Sequence, residues 1–164
     1  MSTTAADDRG IILPCEHCGQ KNRVVYQRLG DEVRCAACKQ QLSAPAEPIE
    51  VASSPHFDAL VGNSSLPVIV DYWAPWCGPC RMVAPELQKV AAQQAGRFLV
   101  VKVNTDELSD LGERFRIRSI PTMALFAGGR EVARTSGARP AKDIEAFVEQ
   151  ALRSSNVDVR GSKA

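Results

Sequence analysis

From residue 49 onward the apolar positions of this chain alternate between two periods. Val68-Ile69-Val70-Asp71-Tyr72-Trp73 is a nearly unbroken apolar run that reads as a buried strand, and Arg81-Met82-Val83-Ala84-Pro85-Glu86-Leu87 begins a helical repeat. By the same reading 49–51 is an opening strand, 57–61 a helix, 80–94 a long helix bent at Pro85, 98–104 a strand and 108–115 a helix. A hairpin follows at 123–126 and 131–135, around Gly128-Gly129, and a helix at 141–152 ends the pattern. Strands that alternate with helices and finish in a hairpin predict an α/β fold, with a mixed central sheet covered by helices on both faces.

The pattern is different before residue 49. Ser43-Ala44-Pro45-Ala46-Glu47-Pro48 is small, polar and proline-containing, which marks a semi-rigid linker at 43–48 between an N-terminal unit at 1–42 and a second domain at 49–152. Residues 153–164 read as a flexible tail. In the first unit, Arg23-Val24-Val25-Tyr26 and Glu32-Val33-Arg34 look like short strands.

Those strands would bring together two CxxC pairs, Cys15/Cys18 and Cys35/Cys38, sixteen residues apart. That spacing suits a four-cysteine zinc ribbon, in which each pair grips one side of a tetrahedral ion. A unit this small has too little core to fold unaided, so one structural zinc would supply the missing stabilisation. The competing reading makes the four cysteines two redox dithiols, but neither pair sits between a strand and a helix. His17 lies inside the first pair and reads as a solvent-facing bystander, since four thiolates already fill the site. Lys21, Arg23, Arg34 and Lys39 would balance the charge of those thiolates.

Composition narrows the choices. The chain has 164 residues and a formal charge of +1, enough for one full core plus a small appendage, with no charge imbalance to suggest nucleic acid or an anionic membrane. No apolar run approaches membrane-spanning length, and the first eight residues lack the basic and apolar parts of a signal peptide. The expectation is a cytoplasmic protein. In that compartment six cysteines are better read as metal ligands and a catalytic pair than as three structural disulfides.

The catalytic pair would be Cys77 and Cys80, in Trp76-Cys77-Gly78-Pro79-Cys80, where the strand at 68–73 turns into the long helix. The first turn of a helix carries unpaired N–H groups and the positive end of the dipole, so a cysteine there ionises readily. Cys77 is thus expected to be the nucleophile, and the more enclosed Cys80 the resolving thiol that attacks a mixed disulfide. Pro79 suits the first helical turn, where its missing N–H has no partner to lose, and Gly78 leaves the backbone open to a large partner. A static disulfide is the alternative. Asp71 is an acid in an otherwise apolar strand: buried without a partner it would hold its proton more tightly and could accept the proton of Cys80, or it could instead cap a backbone group.

The stretch from Val70 through Trp76-Cys77-Gly78-Pro79-Cys80 to Pro85 resembles the active-site segment of the thioredoxin family. Ser119-Ile120-Pro121-Thr122 resembles that family's cis-proline loop, and Lys102-Val103-Asn104-Thr105-Asp106 also matches. The resemblance covers roughly 49–152 and implies a thioredoxin fold. With the ribbon ahead of it, nearly the whole chain is similar to the zinc-binding, two-domain subfamily called thioredoxin 2. The resemblance implies a protein-disulfide reductase with no bound organic cofactor, serving disulfide-containing proteins and regenerated by an NADPH-dependent thioredoxin reductase.

It also implies residue roles. Asp71 matches the family's buried acid and Lys102 the lysine that tunes it from the neighbouring strand. The Ile120-Pro121 bond would be cis, setting its loop against the dithiol, and Trp76, Ile120 and Gly137 would line an apolar groove for an extended substrate segment. Arg114, Arg116 and Arg118 precede that loop, where they either steer acidic partners or form a solvated helix end favoured by its dipole. Two other functional classes stay open: a ribbon that docks a partner beside a passive scaffold, and zinc thiolates that sense oxidants and modulate the reductase.

Overall fold

A computed structural model describes residues 4–155 of the chain. Its first strands form a three-stranded antiparallel sheet, β1 (Ala6–Asp7), β2 (Gly10–Pro14) and β3 (Lys21–Val24), in that spatial order. The sequence reading places strands at 23–26 and 32–34. In the structure the first ends at Val24, because a single 3-10 turn at Tyr26–Arg28 swings Tyr26 into the core. The second is no strand: Arg34 makes only an isolated bridge to Gln41. The partner of β3 is β2, whose Gly-Ile-Ile-Leu-Pro run the sequence reading passed over. Gly10 permits this pairing, since a Cβ there would lie 2.3 Å from the Val24 carbonyl oxygen.

The second part contains β4 (Ile49–Glu50), α1 (Ser54–Asn63), β5 (Val68–Trp73), α2 (Gly78–Gln93), β6 (Leu99–Asn104), α3 (Ser109–Arg114), β7 (Thr122–Ala127), β8 (Arg130–Ser136) and α4 (Ala141–Ser154). The strands form one sheet in the order β4-β6-β5-β7-β8, parallel through β5 and antiparallel beyond it. Residues 153 and 154 of the expected tail finish α4; the rest of that tail from 156 lies outside the described residues.

Alternation along the strands divides the core between two faces. Val68, Val70 and Tyr72 pack with Phe57 and Leu60 of α1 and Leu111 of α3. Ile69 of the same strand packs on the other side with Val83, Leu87 and Val90 of α2 and Ile144 and Val148 of α4. A strand buried on both faces has no polar positions to spare, which is why the 68–73 run reads as almost wholly apolar. Asp71, two residues from Ile69, therefore points toward α2.

The N-terminal unit is packed against the first of these cores. Ile11, Val24, Tyr26 and Leu29 belong to the same apolar cluster as Ile49, Phe57 and Leu60. Thr4 bridges Ile49 in parallel and its amide donates to Pro48 O at 2.9 Å, so this segment covers the edge that β4 would otherwise expose.

Candidate functional site

Two cysteines frame the start of α2. Cys77 is the N-cap: its backbone is still extended (φ −83°, ψ 112°) and its sulfur accepts the Cys80 amide hydrogen at 3.2 Å. The two cysteines form a disulfide with Cα atoms 5.2 Å apart. Because α2 begins at Gly78 rather than at Cys80, both sulfurs lie within the first turn, where free N–H groups favour negative charge. Cys77 and Cys80 are almost equally enclosed, at 4% and 3% exposure, so burial does not tell them apart. Their surroundings do. Cys77 Sγ lies 3.8 Å from Ile120 O on the groove side, whereas Cys80 lines the cleft on the other side, with Glu50 and Lys102.

The other expected site residues gather around this turn. The Ile120-Pro121 bond is cis, and the Gly137 amide donates to Pro121 O at 2.9 Å, tying the end of β8 to the proline loop. Trp76 is 69% exposed, with its indole Nε1 donating to Asp106 Oδ1 at 3.3 Å. Trp76, Ile117 and Ile120 line a groove of about 210 Å³ whose rim includes Arg118. Pro79 is exposed, and a Cβ on Gly78 would meet nothing within 4 Å, so an incoming chain can approach the backbone there. Arg114 is committed elsewhere, bound to Asp58 on α1 at 2.6 Å. Ile117 was not singled out from the sequence; a lone apolar residue between Arg116 and Arg118 gives no periodic signal.

On the α2-facing side of β5, Asp71 is 1% exposed, and neither carboxylate oxygen has a hydrogen-bond partner among the described residues. It does not cap a backbone group. Burial pushes its carboxyl up to about 7 against the pull of the Lys102 ammonium, and Glu50 adds to the rise. Lys102 is the cross-strand neighbour of Asp71 and places Nζ 4.6 Å from the centre of the Trp73 ring. The sequence reading missed Glu50 and Trp73 at this place: their link, Trp73 Nε1 donating to Glu50 Oε1 at 3.2 Å, spans two strands.

The remaining four cysteines converge within the N-terminal unit. All four sulfurs lie within 4.8 Å of one another, with Cys15–Cys38 and Cys18–Cys35 at 3.6 Å. A tetrahedral zinc with Zn–S bonds of ~2.3 Å sets its sulfurs ~3.8 Å apart, so the donor set and its size fit that ion. The two pairs are built alike. Cys15 and Cys35 amides donate to Gln20 O and Gln40 O, both at 2.8 Å, and the carbonyls of Cys15 and Cys35 accept from the amides of Gly19 and Lys39. Gly19 and Lys39 occupy equivalent left-handed positions, φ 81° and 65°. His17 is exposed and outside the cluster. Two of the expected balancing cations are paired elsewhere, Arg23 with Asp7 and Arg34 with Glu32.

Among the described residues no helix is long and apolar enough to cross a membrane. The thioredoxin family model matches residues 48–150. Thioredoxin C-3 of Corynebacterium nephridii is 40% identical over 143 residues, covering 87% of this chain and 97% of its own. Thioredoxin 1 of a Nostoc species is 48% identical over 96 residues, 58% of this chain and 90% of its own. Among solved structures, a mutant thioredoxin from Halobacterium salinarum superposes with a TM-score of 0.60 at 30% identity, over 66% of this chain and 93% of its own. The chain belongs to the thioredoxin family and is a thiol-disulfide oxidoreductase, a protein-disulfide reductase whose substrates carry disulfides and whose partner is a thioredoxin reductase.

Proposed function

We propose that Cys77 is the nucleophile and Cys80 the resolving thiol of a two-step reduction. The observation that carries this is the Cys80 amide donating to Cys77 Sγ at the N-terminus of α2, an arrangement that would stabilise a thiolate on Cys77 alone. The thiolate attacks one sulfur of a substrate disulfide, forming a Cys77–substrate bond and releasing the other substrate sulfur. Asp71 then takes the Cys80 proton, and the Cys80 thiolate displaces the substrate from Cys77, closing the Cys77–Cys80 disulfide. Lys102 steadies the acid while it is ionised.

An extended substrate segment lies in the groove of Trp76, Ile117 and Ile120. Gly78 and Gly137 leave open space beside the main chain, Pro79 is exposed, and the buried Pro121 shapes the loop that carries Ile120, so recognition rests on backbone and apolar contact more than on side-chain identity. Cys15, Cys18, Cys35 and Cys38 would hold one zinc ion, which supplies a structural cross-link. The unit at 1–42 serves as the zinc ribbon, 43–48 as its linker and 49–152 as the redox domain, working in the cytoplasm with an NADPH-dependent reductase. The pairing of an N-terminal four-cysteine cluster with this domain supports placement beside thioredoxin 2.

The test is insulin reduction coupled to NADPH and thioredoxin reductase. Cys77→Ser abolishes turnover, and Cys80→Ser accumulates a covalent mixed disulfide. A Cys80→Ser protein that turns over normally refutes the assignment of the two sulfurs.

A further inference from the structure

Three ionisable side chains form one row across the sheet. Glu50 on β4 pairs with Lys102 on β6, and Lys102 pairs with Asp71 on β5. Residues in register across a sheet share a face, and Ile49 packs on the α1 side, so the row faces α2. Glu50 is no solvated surface acid: it is half-buried and accepts the Trp73 indole hydrogen, while the same ring carries the Lys102 ammonium on its face. Glu50, Trp73 and Lys102 thus hold one another in place. With Cys80 and Arg81 they line a cleft of about 380 Å³.

The ammonium of Lys102 favours ionised Asp71, and the negative charge of Glu50 on the far side of it opposes that pull. We propose that Glu50 is a positioning residue for the resolving step: it fixes Lys102 beside Trp73, and its own negative charge offsets part of the ammonium's pull, leaving Asp71 a stronger proton acceptor for Cys80. This rests on Asp71 being that acceptor. The proton passes from Cys80 Sγ to the Asp71 carboxylate, the Cys80 thiolate displaces the substrate sulfur from Cys77, and the released thiolate is protonated by solvent. The groups that face the row are Lys102 from β6, Arg81 and Cys80 from α2, and Glu107 just beyond β6; β7 sets Met123 opposite Asp71.

The sign follows from charge. Asp71 accepts a proton only when ionised, so the resolving rate rises with pH through its titration. Removing the negative charge of Glu50 makes an ionised Asp71 less costly, which moves that rise to lower pH. Glu50→Gln removes the charge but retains an oxygen for Trp73 Nε1. Single-turnover reduction of insulin by pre-reduced, zinc-loaded protein, followed by the fluorescence of Trp73 and Trp76, reads the profile.

The Glu50→Gln midpoint falls by roughly half a pH unit or more, with turnover at pH 6 at least ~2-fold faster than the parent. Adding Glu50→Gln to Asp71→Asn produces no further shift. Glu50→Asp keeps the charge and the parental midpoint; a displacement as large as that of Glu50→Gln overturns the electrostatic role. An unmoved Glu50→Gln profile, with the titration still lost in Asp71→Asn, overturns the role of Glu50 alone. A titration that survives in Asp71→Asn overturns the Asp71 assignment and this inference together.

Discussion

Tyr26 Oη and His56 Nε2 stand 3.0 Å apart, joining the cysteine-bearing unit to the first helix of the redox domain. The Ala52 amide donates to His56 Nδ1 at 3.1 Å, which leaves the neutral ring its proton on Nε2. That proton is donated to Tyr26, whose own hydroxyl donates to Asp7 O at 2.5 Å. Every donor in the chain of bonds has an acceptor as long as His56 is neutral. A second proton on Nδ1 would face the Ala52 N–H.

This predicts acid sensitivity of the seam. Burial lowers the His56 pKa, against the upward pull of Asp7 and Asp8. The unfolded chain therefore binds a proton more readily than the folded one, so this contribution to stability is complete above about 6.5 and is lost as pH falls below it. Thermal unfolding of the parent should lose more stability between pH 7 and pH 5 than that of His56→Gln. Tyr26→Phe should cost about 1–2 kcal/mol at pH 7 by leaving His56 Nε2 without its acceptor.

Asp71 predicts the opposite pH dependence. Its folded pKa, about 7, lies above the ordinary aspartate value of 3.8 because of burial, so the folded state favours the protonated acid and its stability falls as pH rises from about 4 until the folded acid has ionised near 7. Asp71→Asn should be more stable than the parent at pH 8, by an amount bounded by ~4 kcal/mol, with the gain shrinking toward pH 4. Denaturant titration at the two pH values checks this. With Asp71 as the proposed proton acceptor, the same substitution should slow resolution of the mixed disulfide, so stability and activity should move in opposite directions.

Metal removal should separate the two halves of the molecule. The protein as prepared is expected to contain one zinc per chain, and chelation or Cys35→Ser should unravel the paired turns around Gly19 and Lys39. Ile11, Val24 and Tyr26 share a core with α1, so losing the ion also lowers the melting temperature of the redox domain. Insulin reduction at 25 °C should persist, because the dithiol turn is built on α2 and the proline loop. Elemental analysis, a melting curve and the insulin assay decide each point.

Much of this was legible in the chain because the signals were local. The 68–73 run, the helix after it and the glycine hairpin each lie within one stretch, so period alone located β5, α2 and the β7–β8 turn. Spacing also picked out all six cysteines. The N-terminal strands were misread because their pairing depends on a close approach at Gly10 and on the burial of Tyr26, neither of which leaves a periodic trace in so short a segment.

The sequence by itself determined two cysteine motifs: a CxxC at a strand-to-helix turn, and four cysteines at ribbon spacing. Tertiary structure decided what surrounds them. It placed Glu50 beside Lys102 and Asp71, tied Tyr26 to His56, and brought Ile117 to the groove beside Trp76. Those neighbours come from strand order and from the docking of one unit on another, and long-range pairing is chosen by the whole core rather than by any segment of the chain.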